Sequence, residues 1–104
     1  LSTFIITESM HERKKLMFTN CNAIVTLPGG VGSLDEFFEI LTWTQLGIST
    51  KPLYLLNIDG YWDLVIQLID QMVNQGFAEG SLLNKFTIIN SVAELETNLL
   101  NIFS

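Results

Sequence analysis

The chain has 104 residues, 48% of them hydrophobic, and a formal net charge of −6. That length holds one domain with a modest core, and five Lys and Arg against eleven Asp and Glu argue against a nucleic-acid partner. No apolar run reaches the roughly 18 residues of a membrane span, so no membrane partner is expected.

Taken in chain order, the first apolar run, Thr3 to Thr7, reads as a strand, and no signal peptide precedes it. Because the chain opens on Leu1 and a strand follows at once, it is expected to be part of a larger domain. From Met10 to Asn20 the period is helical, with Met10, Leu16 and Met17 on one side and Arg13, Lys14 and Lys15 on others. Cys21 is the sole cysteine and His11 the sole histidine, so neither an internal disulfide nor a zinc site is expected. Cys21 reads as a structural thiol in a reducing, cytoplasmic setting.

Ala23 to Leu27 is an almost continuous apolar strand, as expected when both faces of a sheet are covered. Pro28 ends it, Gly29, Gly30 and Gly32 follow, and a helical pattern opens with Ser33 and Glu36. From Leu34 to Gly47 that helix is apolar almost all round, which predicts burial on two faces and suits contact with a second subunit. Pro52 to Asn57 is the third strand. Tyr61 to Gln75 is a helix gathering Trp62, Val65, Leu68, Ile69 and Met72 on one side, closed by Gly76. Phe86 to Ile89 forms a fourth strand, and Val92 to Phe103 a last helix with Val92, Leu95, Leu99 and Ile102 inward. Strands alternating with helices predict an α/β fold, a parallel sheet flanked by helices, with residues 1–104 in a single domain.

Ligands of such sheets bind beyond the carboxyl ends of the strands. Three loops fall there: Glu8 to Lys14, the glycine corner after Leu27, and Ile58-Asp59-Gly60-Tyr61. At the glycine corner, unpaired amides and the helix dipole suit a phosphate. The motif is neither a Walker A loop nor G-x-G-x-x-G. Glu36 has two readings. Ser9 and Glu12, Ser33 and Glu36, and Ser91 and Glu94 all fit the S-x-x-E capping box, so Glu36 could cap its own helix or do chemistry. Arg13, the only arginine, is either a solvated helix charge or a two-donor clamp for phosphate or sugar oxygens. His11 reads as an exposed helix residue.

Met10-His11-Glu12-Arg13-Lys14 followed by Pro28 to Glu36 resembles the two hallmarks of the Lonely Guy family, M-x-x-R-K and P-G-G-x-G-T-x-x-E. These are cytokinin riboside 5′-monophosphate phosphoribohydrolases, long labelled possible lysine decarboxylases. The similarity continues through Thr42-Trp43-Thr44-Gln45-Leu46-Gly47, Lys51-Pro52, Leu56-Asn57-Ile58-Asp59-Gly60-Tyr61 and Gly76-Phe77. It corresponds to the C-terminal part of the family's Rossmann-like domain. The resemblance implies catalytic roles for Arg13 and Glu36, a 5′-phosphate loop of Gly29, Gly30, Gly32 and Ser33, and substrate-lining positions at Met10 and Lys14. Ser33 stands where the family usually has Thr, keeping the hydroxyl.

The implied reaction is hydrolysis of the N-glycosidic bond of a nucleoside 5′-monophosphate, AMP or a cytokinin riboside 5′-monophosphate, to free base and ribose 5-phosphate. It passes through an oxocarbenium-like cation that a carboxylate stabilises. It requires no cofactor and no metal, and the family's oligomeric habit implies a homo-oligomer such as a dimer. No feature of the sequence would bind pyridoxal phosphate, so decarboxylation lacks its electron sink. A nucleotide sensor without turnover would keep the glycines but have no need of Arg13 with Glu36. An inactive truncated fragment is the remaining alternative.

Overall fold

The computed structural model describes residues 4–6 and 22–103. Within them, strands β1 (Phe4–Ile6), β2 (Ala23–Thr26), β3 (Leu53–Leu56) and β4 (Thr87–Ile89) form one wholly parallel sheet in the order β1-β2-β3-β4. Three α-helices follow the last three strands: α1 (Val31–Gln45), α2 (Asp63–Asn74) and α3 (Val92–Phe103). Two 3₁₀ turns, Ile58–Gly60 and Gly80–Asn84, complete the connections. This is the expected α/β fold, with each strand within about a residue of its predicted span.

The period of two along each strand divides the core in two. Ile24, Leu53 and Leu55 face α1 and α2, meeting Phe37, Ile40, Leu41, Trp62 and Ile69. Ala23, Val25, Tyr54, Leu56 and Ile89 face the other way and meet Leu95 of α3. Right-handed crossovers between sequential neighbours place their helices on one face of the sheet, which explains why α1 and α2 share a side. Helix α3 packs on the opposite face through Leu95 and Leu99.

The predicted helix stops hold for a local reason. Gly47 (φ 78°) and Gly76 (φ 82°) adopt left-handed conformations just past α1 and α2. In each case the two amides after the helix turn back: Gly47 and Ile48 donate to Thr44 and Trp43, and Gly76 and Phe77 to Val73 and Met72. Both are Schellman motifs, where glycine avoids the Cβ penalty.

Three helical faces differ from expectation. The buried residues of α1 are Ser33, Glu36, Phe37, Ile40 and Leu41, a single stripe toward the sheet. Leu34, Phe38 and Trp43 flank it half-buried, and Leu46 is exposed, so the helix is not buried on two separate faces. In α2 the inward stripe is Trp62, Val65, Ile66, Ile69 and Val73. Leu68 lies about a third of a turn off it and is 47% exposed. Val92, at the first position of α3, is exposed as well.

Candidate functional site

At the carboxyl end of β2 the chain passes through Leu27, Pro28 and Gly29, all half-buried, to Gly30, which is the N-cap of α1. Helix α1 therefore begins three residues before Leu34, the predicted start. That shift settles the capping question for Ser33. A residue in the first turn cannot be the N-cap, and no side chain caps this helix. The same S-x-x-E spacing does form a cap at α3, where Glu94 N–H donates to Ser91 Oγ (3.1 Å) and Asn90 N–H donates to Glu94 Oε2 (3.1 Å). One spacing thus has two outcomes, decided by where each helix starts.

Ser33 and Glu36 instead occupy the first two positions of the inward stripe of α1, at 3% and 2% exposure, where the later buried residues, Phe37, Ile40 and Leu41, are apolar. Burying a carboxylate costs several kcal/mol of hydration in general, about the scale that function rather than packing must justify. Thr26, the last residue of β2, alternates onto the same face and is fully buried; its hydroxyl meets no hydrogen-bond partner among the described residues. The indole N–H of buried Trp62 is in the same condition. Sequence reasoning missed Thr26, although one polar residue ending an apolar strand just before Pro-Gly-Gly was a signal for it.

The loop after β3 is the second wall. Asn57, buried at the end of that strand, ties three elements together. Its backbone N–H donates to Ile89 O (2.6 Å), its Nδ2 donates to Asp63 Oδ1 (2.8 Å), and its Oδ1 accepts from Trp62 N–H (2.6 Å). Between these anchors Asp59 (φ 54°) and Gly60 (φ 71°) take left-handed conformations. A Cβ on Gly60 would lie 2.6 Å from Asp63 Oδ2. The tight turn delivers the Tyr61 hydroxyl to the Gly29 carbonyl, to which it donates a hydrogen bond. Neither Gly30 nor Gly32 shows the same constraint: neither has positive φ, and a Cβ on either would meet nothing within 4 Å. Internal packing therefore does not explain glycine there, whereas a ligand approaching the bare backbone would.

Of the residues expected to form the site, Gly29, Gly30, Gly32, Ser33 and Glu36 are gathered at this one corner. Met10, Arg13 and Lys14 lie outside the described residues, as do His11 and the Ser9–Glu12 pair. The described cations, Lys51 and Lys85, precede β3 and β4 and so sit at the opposite, amino edge of the parallel sheet. Among the described residues, then, positive potential at the corner comes from the first amides of α1. No cluster of three or more His, Cys, Asp or Glu able to hold a metal occurs among them. No helix of the described residues is long and apolar enough to cross a membrane.

The chain is similar to known proteins along nearly all its length. A rice protein (Oryza sativa subsp. japonica) named as a probable cytokinin riboside 5′-monophosphate phosphoribohydrolase is 42% identical over 94 residues, 90% of this chain and 41% of that protein. A cytokinin riboside 5′-monophosphate phosphoribohydrolase of Arabidopsis thaliana is 44% identical over 77 residues, 74% of this chain and 36% of its own. The chain spans about two fifths of the length of these curated relatives. The model of the family described as "Possible lysine decarboxylase" matches residues 1–99. So extended a match is membership: the chain belongs to the possible lysine decarboxylase family, the Lonely Guy family that its motifs resemble.

Proposed function

We propose that the protein hydrolyses the N-glycosidic bond of a nucleoside 5′-monophosphate, AMP or a cytokinin riboside 5′-monophosphate, and acts as a homo-oligomer. The observation that carries this reading is the pair Ser33 and Glu36, both nearly fully buried on an otherwise apolar helical stripe, one turn from a glycine corner. The 5′-phosphate rests on the amides of Gly30, Val31 and Gly32 with the Ser33 hydroxyl beside them. Glu36 faces the ribose. Its carboxylate stabilises positive charge developing at C1′ and takes a proton from water as the water oxygen bonds to C1′ and the C1′–N bond breaks. That proton ends on the departing base, so water is divided between base and ribose 5-phosphate. Arg13 offsets the phosphate charge, and Met10 and Lys14 line the substrate. Binding energy from the fixed phosphate positions C1′, so nucleosides without it react poorly.

The test is release of free base, followed by chromatography, from AMP and N6-isopentenyl-AMP by the purified protein at the full length its gene encodes. Glu36→Gln is expected to lower turnover by about 10²–10⁴-fold, the usual contribution of a positioned acid–base group, with ribose 5-phosphate still bound. Unchanged turnover in that variant would remove Glu36 from the chemistry. Nucleotide binding by the wild type without base release would make the protein a nucleotide-binding module instead.

A further inference from the structure

We propose that Tyr61 is a positioning residue for the anion corner: its hydroxyl latches the Gly29–Gly30 peptide in the one orientation that leaves the Gly30 amide for a phosphate. The inference rests on the nucleoside-monophosphate reading above. It begins with a weakness of the loop. A Gly-Gly peptide has little steric reason to prefer either of its two flipped orientations. On the far side, the Gly30 carbonyl is held by Leu34 N–H (3.2 Å) as the helix N-cap. Among the described residues, however, a Cβ on Gly30 would have no neighbour within 4 Å, so side-chain packing there does not choose between the two. Tyr61 supplies the missing restraint by donating to the Gly29 carbonyl. In a trans peptide the C=O and the next N–H point in opposite directions, and the described residues contain no cis bond. Fixing the Gly29 carbonyl toward Tyr61 therefore fixes the Gly30 N–H away from it. The same bond occupies a carbonyl oxygen whose partial negative charge would otherwise be able to turn toward the anion.

The latch stands on a rigid base. Tyr61 N–H donates to Ile58 O (3.0 Å), and its ring packs edge-on against Trp62 at 4.8 Å and 84°. Trp62 is 2% exposed and is held through its backbone N–H by Asn57. Tyr61 itself is 54% exposed, so its hydroxyl is not a core requirement.

The experiment compares wild type with Tyr61→Phe, which keeps the ring and removes the hydroxyl, in ribose 5-phosphate binding by calorimetry and in steady-state hydrolysis of the nucleotide. Loss of one hydrogen bond predicts a roughly 3–10-fold weaker affinity and an equal rise in KM, with kcat and the thermal midpoint held. As a second measurement, the Gly30 amide of the wild type should show one of the largest ¹⁵N–¹H shifts on titration with inorganic phosphate. Wild-type affinity in the Phe variant, a loss confined to kcat, or a silent Gly30 amide overturns the latch and leaves the hydrolase standing. A wild type that neither binds ribose 5-phosphate nor releases base overturns both.

Discussion

Glycines at 30, 32 and 60 look alike in the sequence and differ in the fold. Gly60 is required by its left-handed backbone, which a Cβ would strain. Gly60→Ala is therefore expected to cost about 1–3 kcal/mol, read as a lower urea midpoint. Gly30→Ala and Gly32→Ala meet open space and should leave that midpoint nearly unchanged while weakening ribose 5-phosphate binding severalfold, because their Cβ atoms intrude on the anion. Equal destabilisation by all three would mean that the corner is a packing turn. Glu36 makes a similar point about legibility: spacing alone favoured a capping role for it, and the position of Gly30 as N-cap removed that role.

Among the elements, α3 carries the one complete side-chain cap described. Ser91→Ala removes the acceptor for Glu94 N–H and is expected to cost about 1 kcal/mol, visible as faster amide hydrogen exchange in the first turn of α3. Exchange unchanged there would show that the Asn90 to Glu94 bond alone holds the turn. Element type and order were readable across the described residues because apolar period and glycine stops are written locally. The sector each helix buries was less readable. Leu68 and Val92 satisfy a helical period as well as their neighbours do, yet the sheet lies to one side of them.

On the scale of the whole molecule, the outer surface of α1 and its exit bear on assembly. Leu46 and Ile48 are each 66% exposed beyond half-buried Trp43, and Leu100 of α3 is 68% exposed. Apolar surface of this kind is what a second copy covers in an oligomer. Sedimentation of the full-length protein is expected to show a dimer or larger; a monomer at tens of micromolar, about the concentration of such a run, would end that expectation.

By itself the sequence determined what depends on near neighbours: four parallel strands with helices between them, stops at Gly47 and Gly76, and a glycine corner opening a helix after Leu27. Backbone dihedrals and side-chain period act over a handful of residues, so local residue types suffice to specify them. Only the tertiary structure decided that Ser91 caps and Ser33 does not, and that Thr26 is buried beside the corner. It alone brought Tyr61 to the Gly29 carbonyl across 32 positions of sequence. Those outcomes depend on where the sheet sets each helix and loop in space, which no local pattern encodes.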